Sequence, residues 1–335
     1  QNKTGVNVHF LSNIDPHHFF SILDMLNPKT TLFIVASKSF GTQETLTNAQ
    51  SAKVWLEQSI SPSETADHFC AVTANKNAAL DFGMAEGHIF DLPRWVGGRF
   101  SLWSAVGLSI SLGLGYKTFQ QLLNGAHQAD QHFLNNDFSE NIPVLMALIS
   151  IWHRNFMGYN AHCILPYSQA LSLMPQYIQQ LEMESNGKSV DINGQNLDYK
   201  TAPVIFGGSG TLAQHTFFQL LHQGTEIISS DFIALKAPYK NMSDHHEKLI
   251  SNVIGQSEAL LYGRHNEKEP HKNFPGNRPS STFWLNRLTP TTLGCLLALY
   301  EHKVFVQGVI WNINSFDQYG VELGKELANN ALAEI

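Results

Sequence analysis

The sequence predicts an α/β protein built on doubly wound parallel sheets. Apolar, strand-like runs alternate with helical patterns at intervals of about thirty residues, which is typical of parallel sheets with crossover helices. Residues 31–36 form a continuous apolar run, as expected of a strand buried on both faces. After this run, and again after residues 202–206, a polar or glycine-rich turn leads into a helical pattern. The chain therefore contains two α/β series.

The elements of the first series follow from their patterns. Short apolar or β-rich runs predict four strands, at residues 6–11, 31–36, 68–73 and 87–91. Apolar or small residues spaced three and four apart predict helical stretches at residues 16–26, 43–60, 75–83 and 101–114. Mostly helical sequence then fills residues 118–159.

The second series repeats the alternation. Strands are predicted at residues 163–165, 202–206, 226–235 and 283–287. Helices are predicted at residues 168–182, 211–222 and 243–261, and a polar loop at residues 263–281. The C-terminal sequence is helical, with a break near residues 312–317.

Composition narrows the function classes. The 335 residues are 43% hydrophobic and only 15% charged, which indicates a compact globular protein. With 28 acidic against 21 basic residues the formal charge is −7. Such a chain has no overall attraction for nucleic acid or an anionic membrane, so any phosphate must be bound by a local site.

Neither the cysteines nor the histidines suggest a metal centre. Cys70, Cys163 and Cys295 lie far apart without CxxC spacing, which predicts buried thiols in a reducing compartment. The histidine pairs at 17–18 and 245–246 lack the i, i+4 spacing of a helical metal site. We therefore predict no metal site.

The same sequence predicts a cytoplasmic protein. No apolar run reaches the roughly 18 to 20 residues that cross a bilayer. The run at residues 293–300 comes closest, and it ends at a charged triplet. No signal peptide is recognisable in the first residues.

A candidate anion site follows the strand at residues 31–36. Ser37, Lys38, Ser39 and Thr42 lie between that strand and the next helix. Helix-terminal N–H groups and the helix dipole favour an anion there, and the three hydroxyls and the ammonium add donors. Ordinary helix capping is the alternative, but it needs only one hydroxyl. The pattern favours a phosphate monoester, at the sheet edge where open α/β sheets bind ligands.

Two more positions are candidates for chemistry. Arg99 follows Gly97 and Gly98, which let the backbone approach a ligand, and its guanidinium suits a developing oxyanion. A glycine turn with a structural arginine is the alternative. Glu184 ends a helical run before an Asn-Gly turn, so it has rigid support and could move a proton. The alternative is a solvated glutamate at a helix end.

Later motifs are less specific. Residues 207–211 are glycine-rich but lack a full GxGxxG, which disfavours dinucleotide binding. His215, on the following helix, could take a hydroxyl proton near neutral pH, or could be a core or capping histidine. Gln318 and Lys325, seven residues apart, are predicted to share one face of the last helix, which could equally be a solvated face.

Six motifs together resemble those of the glucose-6-phosphate isomerase (phosphoglucose isomerase) family. They occur in the family's order from the first strand to the last helix. They are Ser-Asn-Ile-Asp at 12–15, Ala-Ser-Lys-Ser-Phe-Gly-Thr-Gln-Glu-Thr at 36–45, Val-Gly-Gly-Arg-Phe-Ser-Leu-Trp-Ser at 96–104, Met-Glu-Ser-Asn-Gly-Lys at 183–188, Gly-Thr-Leu-Ala-Gln-His at 210–215 and Ser-Phe-Asp-Gln-Tyr-Gly-Val-Glu-Leu-Gly-Lys at 315–325.

The resemblance implies an enzyme that interconverts glucose 6-phosphate and fructose 6-phosphate, in glycolysis and gluconeogenesis, through a cis-enediolate and without a cofactor. It implies that Glu184 is the catalytic base, that Arg99 stabilises the enediolate, and that His215 and Lys325 assist ring opening. It also implies a homodimer in which His215 reaches the neighbouring subunit's site. The implied substrate-binding residues are Ser37, Lys38, Ser39, Thr42, Gly98, Gln180 and Gln318.

The resemblance further implies two sugar-isomerase (SIS) type domains, residues 1–113 and 114–335, with helical extensions. Because family members carry many residues before the point where this chain starts, we expect the first domain to be incomplete at its N-terminus and turnover to be poor. Ser39 and Gly41 stand where the family usually has threonine. Residues 208–215 lack the family's acid and Asn-Gly pair before the histidine.

Two other functions are compatible with the same residues. One is a related aldose-ketose isomerase that acts on another epimer, such as mannose 6-phosphate. The other is a non-catalytic module that binds sugar phosphates to sense metabolite level. A substitution of Glu184 separates the second from an isomerase, because only an isomerase needs that carboxylate for proton exchange.

Overall fold

The structure, a computed structural model, describes residues 5–240 and 242–334. It divides into two compact units, residues 1–121 and 122–335. Each unit contains a parallel sheet, so the predicted α/β class is confirmed. The boundary between the units falls within a long helix, Tyr116–Asn135. The predicted domain limits at residue 113 stay a prediction.

The sheet of the first unit has three parallel strands in the order β1-β2-β3. They are β1 (Phe33–Ala36), β2 (Phe69–Thr73) and β3 (Ile89–Asp91). The helices are α1 (Pro16–Leu23), α2 (Gln43–Glu57), α3 (Pro62–Thr65), α4 (Lys76–Asp81), α5 (Leu108–Leu114) and α6 (Tyr116–Asn135), which continues into the second unit.

The core of the first unit lies between β2 and its helices. All five residues of β2 are buried. Phe69 and Ala71 pack in one cluster with Ala52 and Leu56 of α2 and with Ala79 of α4. The small residues of α2 let this helix lie close to the central strand, which fixes the loop that precedes it.

Two strand predictions in this unit need correction. Residues 6–11 form no strand, because residues 6–10 are all exposed and their β-rich pattern has no core to face. The strand predicted at residues 31–36 is shorter, and Phe33 and Ile34 are only half-buried. The reason is that β1 lies at an edge of the sheet that the described residues form.

The sheet of the second unit has four parallel strands in the order β5-β4-β6-β7. They are β4 (Ala161–Pro166), β5 (Val204–Gly207), β6 (Ser229–Leu235) and β7 (Ser280–Leu285). The helices after α6 are α7 (Ile142–Ile151), α8 (Met174–Ile178), α9 (Phe218–Gln223), α10 (Ser243–Tyr262), α11 (Pro290–Ile310) and α12 (Glu322–Glu334).

Helices cover both faces of this second sheet. Phe232 of β6 points to one face, where it shares a core with Leu221 of α9 and Val253 of α10. Its neighbour Asp231 points to the other face and accepts a hydrogen bond from Tyr300 of α11 at 2.9 Å. Successive side chains of β6 thus contact helices on opposite faces of the sheet. Helices on both faces of a parallel sheet make up the doubly wound arrangement that the sequence predicted.

Two predicted helices are broken into shorter pieces. Residues 211–222 form a 3₁₀ turn, Leu212–His215, followed by α9. Ala213 and Phe218 are both buried in one core, yet five residues on a continuous helix would turn their side chains about 140° apart. Residues 168–182 likewise contain a 3₁₀ turn, then α8, and then a π-helix at Gln179–Glu184.

Helix α11 is longer than its apolar run suggested. The charged triplet after residue 300 does not end it, because Lys303 is buried and paired inside the unit. Among the described residues, α11 is the one helix long and apolar enough to cross a membrane by length and composition. Since 56% of its most apolar window is buried within the protein, it is the core helix of this unit.

Candidate active site

The loop at residues 37–42 is hydrogen-bonded to the residues that directly follow β2. The Ala74 N–H donates to the Lys38 carbonyl at 2.9 Å, and the Asn75 side-chain amide donates to the Ser39 carbonyl at 3.1 Å. The carbonyls of Lys38 and Ser39 are thus hydrogen-bonded to the chain after β2, whereas their side chains are exposed. The loop is therefore rigid in its backbone and open on its outer side.

Phe40 is the buried anchor of this loop. Its side chain is only 5% exposed and packs edge-on against Phe82, with ring centroids 5.9 Å apart. Its backbone has φ 51°, the left-handed region that non-glycine residues rarely adopt. The buried ring holds this unfavourable conformation, which is a common feature of ligand-binding loops.

Thr42 directly precedes α2, but its side chain does not cap the helix. Its Oγ1 lies 3.0 Å from Oγ of the buried Ser37. The amino end of this 15-residue helix thus receives no capping bond from Thr42. The exposed Lys38 and Ser39 lie in the loop that leads to it. Helix-terminal N–H groups with nearby hydroxyls and an ammonium suit an anion. Thr42 therefore does not act as the side-chain cap that the alternative interpretation required.

Gly98 and Arg99 follow β3 and form a 3₁₀ turn that ends at Phe100. Apart from the two neighbouring residues, no described atom lies within 4 Å of the position that a Cβ on Gly98 would take. The packing around Gly98 therefore does not itself require glycine. The Arg99 side chain is buried, with its guanidinium 5.5 Å from the centre of the Phe100 ring.

Gln180 and Glu184 both lie on the π-helix Gln179–Glu184. Such wide turns are rare and often occur at functional sites. The π-helix lies along the edge strand β5. Gln179 donates to the Ile205 carbonyl at 3.0 Å, and the Ile205 N–H contacts Met183 Sδ at 3.2 Å. The side chains of the π-helix thus satisfy the open edge of β5, which fixes the helix against the sheet.

Buried polar contacts flank Glu184 on both sides. Two residues before it, Glu182 accepts from Lys303 Nζ at 2.6 Å and from Gln307 Nε2 at 2.9 Å. Two residues after it, Asn186 donates to the Val304 carbonyl at 3.0 Å. All of these partners lie on α11, so the core helix braces the chain on either side of the half-buried Glu184.

Gly187 completes the turn after Glu184. Its N–H donates to the Met183 carbonyl at 2.9 Å. A Cβ on Gly187 would lie 2.4 Å from that same carbonyl oxygen, which no side chain tolerates. Glycine is therefore required for the chain to turn back on the end of the π-helix.

Sequence reasoning missed two participants in this region. The sequence predicts Glu182 within an ordinary helix, although it forms a buried ion pair with Lys303. The sequence predicts no role for Lys188, the last residue of the motif at 183–188. The one available signal for Lys188 is its spacing of four residues from Glu184, since a lysine there can reach back to the last carbonyls of a helix.

His215 ends the 3₁₀ turn after β5, and its side chain is exposed. The preceding Gln214 anchors the turn by donating to Asn252 of α10 at 3.0 Å. The turn is thus fixed to the unit while the imidazole faces outward. An exposed imidazole is compatible with the expected role across a subunit interface, which stays a prediction.

The predicted pairing of Gln318 and Lys325 on one helical face is wrong. Gln318 precedes a 3₁₀ turn, Tyr319–Val321, with φ −153°, and α12 begins only at Glu322. The polar, aromatic-rich sequence after residue 311 breaks the helix before Gln318 is reached. Both side chains are exposed, and Lys325 Nζ lies 3.5 Å from Glu322.

The structure thus distributes the candidate residues over the two units. The first unit carries Ser37, Lys38, Ser39, Thr42, Gly98 and Arg99. The second unit carries Gln180, Glu184, His215, Gln318 and Lys325. Within residues 5–240 and 242–334, no group of three or more His, Cys, Asp or Glu side chains is arranged to hold a metal ion. The three cysteines are free thiols.

The fold and the candidate site define an α/β protein with two parallel sheets. The chain belongs to the phosphoglucose isomerase family, whose model matches residues 1–335.

The curated relatives are longer than this chain. It is 52% identical over 326 residues to glucose-6-phosphate isomerase 1 from Chromohalobacter salexigens, covering 96% of this chain and 59% of that protein. It is 51% identical to glucose-6-phosphate isomerase from Shewanella sp. strain ANA-3, covering 99% of this chain and 64% of that protein. The chain therefore spans about three fifths of the length of these relatives.

Two solved structures share the fold. A crystal structure of glucose-6-phosphate isomerase from Chlamydia trachomatis superposes with a TM-score of 0.91 at 38% identity, covering 99% of this chain and 65% of that chain. The crystal structure of a hypothetical protein from Thermus thermophilus gives a TM-score of 0.81 at 28% identity, covering 99% of this chain and 79% of that one.

Proposed function

We propose that this chain takes part in the interconversion of D-glucose 6-phosphate and D-fructose 6-phosphate, an aldose-ketose isomerisation of glycolysis and gluconeogenesis. The relatives named glucose-6-phosphate isomerase are about half identical to this chain over nearly its whole length. The reaction needs no cofactor, because the C–H next to the carbonyl of the open-chain sugar is acidic once the ring has opened.

The proposed chemistry is a proton transfer between C2 and C1. Glu184 takes the C2 proton as a carboxylate, which leaves a cis-enediolate, and the resulting carboxylic acid returns the proton to C1. A hydroxyl proton passes from O2 to O1 of the enediolate in the same exchange, so the carbonyl moves from C1 to C2. Arg99 neutralises the charge that develops on the oxygens. His215 and Lys325 assist ring opening by proton transfer at the ring oxygen.

The proposed substrate contacts divide by chemistry. Ser37, Lys38, Ser39 and Thr42 bind the phosphate at the amino end of α2. Gly98, Gln180 and Gln318 line the sugar. We further propose a cytoplasmic homodimer in which His215 serves the partner subunit's site. The exposed position of His215 on the turn after β5 supports its role across the subunit interface. The three free thiols support a reducing compartment such as the cytoplasm.

The bracing of Glu184 is the observation that carries the proposal. A general base must be held in one position relative to the proton it removes. Glu184 ends a π-helix that is bonded to a strand edge on one side and to buried side chains of α11 on the other. A solvated glutamate at an ordinary helix end would need none of these contacts.

The test is to supply the chain with fructose 6-phosphate and follow the products by NMR. Glucose 6-phosphate as the main product supports the proposal. Mannose 6-phosphate as the main product would assign the chain to the other epimer. Saturable binding of fructose 6-phosphate without turnover would indicate a binding module and overturn the proposed activity.

A further inference from the structure

Lys188 binds the backbone at the end of the π-helix that carries Glu184. Its Nζ donates to the carbonyl of Glu184 itself at 3.0 Å and to that of Ser185 at 2.7 Å. These carbonyls lie at a helix carboxyl end, where intrahelical partners run out and a positive charge is favourable. The Lys188 side chain is only 15% exposed, so water competes poorly for these bonds.

The same ammonium reaches a second segment, the turn that leads to Gln318. Lys188 Nζ donates to the Asp317 carbonyl at 3.0 Å and lies 3.3 Å from Asp317 Oδ1. An ammonium has three N–H donors, and three carbonyl oxygens surround this one. Lys188 therefore joins the chain at Glu184 to the residue directly before Gln318.

A neighbouring contact supports the same link. Ser315 Oγ donates to Asn186 Oδ1 at 2.6 Å, and both side chains are buried. Asn186 thus fixes the beginning of the turn, whereas Lys188 fixes its end. Because Gly187 lets the chain turn back sharply, Lys188 can reach the carbonyls from only four residues away.

We infer that Lys188 is a positioning residue that holds the proposed base Glu184 and the proposed sugar-binding Gln318 in a fixed relation. This inference rests on the proposed function of Glu184. The bonds described above join Lys188 Nζ to backbone carbonyls and Asp317, so Lys188 acts on the proposed base through the position of its backbone. A displacement of the order of 1 Å at a catalytic group costs roughly 100-fold in rate.

The first test compares Lys188→Met with the unaltered chain in steady-state isomerisation. We expect kcat to fall about 10- to 100-fold. KM should rise by less than kcat falls, because only the Gln318 contact is displaced and the phosphate-binding residues are untouched. Lys248→Met is the matched control, since Lys248 forms an exposed ion pair with Asp244 on α10. We expect its kcat and KM to be unchanged. An unchanged kcat in Lys188→Met would overturn the inference.

Chemical rescue separates the ammonium from general packing. In Lys188→Cys, aminoethylation of the thiol restores an ammonium at nearly the original length. We expect the treated variant to regain most of the lost kcat, with the identically treated unaltered chain as control because it contains three other cysteines. Lys188→Arg keeps the charge at the helix end if Lys188→Met does not fold. Its planar fork cannot direct donors at three converging carbonyls, so kcat should still fall.

Hydrogen exchange tests the link without relying on turnover. In Lys188→Met and in Lys188→Arg we expect faster amide exchange in residues 184–188 and in residues 312–318 together, at least several-fold. Exchange unchanged in either segment would contradict the inference. An unaltered chain that fails to isomerise would refute the proposed function instead, and exchange would still decide the role of Lys188.

Discussion

Lys303 Nζ lies 2.6 Å from Glu182 Oε2, and the two side chains are 2% and 0% exposed. Removing two charges from water is costly, and their mutual attraction offsets that cost only when the geometry is good. Gln307 supplies a further hydrogen bond to Glu182 and also donates to Ser150 at 2.9 Å. This buried cluster connects α11 to the π-helix that carries the proposed base.

Breaking this ion pair from one side should strongly destabilise the second unit. We expect Lys303→Met to lower the free energy of unfolding by about 3–5 kcal/mol, because Glu182 is left as an unpaired buried charge. The double variant Lys303→Met/Glu182→Met should recover most of that loss. Urea unfolding followed by circular dichroism measures both. A double variant as unstable as Lys303→Met would show that the unpaired charge is not the cause.

Stability should also depend on pH through His153. Burial lowers the pKa of His153, and His162 lowers it further, against the opposing effect of Asp231. The folded pKa therefore lies below the unfolded value of about 6.5. Protonation favours the unfolded state, so this stability is present above about pH 6.5 and is lost as the pH falls through the folded pKa.

Unfolding free energies measured between about pH 8 and pH 5 test this effect. The unaltered chain should lose stability toward acid, and His153→Gln should lose less. A variant at an exposed histidine, His245→Gln on α10, reports what the loss of a surface imidazole does. Parallel pH profiles for the unaltered chain and His153→Gln would contradict the assignment.

Gly98→Ala should separate ligand approach from folding. The backbone at Gly98 does not have positive φ, and the site of its Cβ is open, so we expect the Tm to stay within about 2 °C. If the sugar lies against this backbone, KM for fructose 6-phosphate should rise about 10-fold or more.

Gly87→Ala, in the 3₁₀ turn Glu86–His88 before β3, is the matched control for this substitution. The position of its Cβ is also open, so both Tm and KM should be kept. Equal KM values for Gly98→Ala and the unaltered chain would remove Gly98 from the substrate contacts.

The sequence predicted the two parallel sheets because continuous apolar runs, each followed by a polar turn and a helical pattern, are compatible with few other folds. Local patterns were weaker where tertiary contacts decide. Residues 6–11 have a β-rich pattern without a core to face, and the edge position of β1 is not visible in its own sequence. The helix break near Phe218 depends on which side chains reach the core, which no local pattern encodes. The break at residues 312–317 was predicted, but not its extension through the 3₁₀ turn Tyr319–Val321.

The candidate residues came from motifs, but their support could not. That Thr42 leaves α2 uncapped depends on a bond to Ser37 that forms only once the loop is folded. The brace around Glu184 comes from Lys303 and Gln307, more than a hundred residues later in the chain. A lysine after an apolar run normally marks a solvated face, so the burial of Lys303 against Glu182 is not visible in the sequence.

The central claim is that the Glu184 carboxylate moves the proton at C2, and proton exchange in deuterated water measures this directly. The C2 proton of glucose 6-phosphate is followed by NMR with the unaltered chain and with Glu184→Gln, whose amide keeps the shape but cannot accept the proton. We predict that exchange is abolished in Glu184→Gln while fructose 6-phosphate still binds with similar affinity. Exchange in Glu184→Gln at the rate of the unaltered chain would contradict the account.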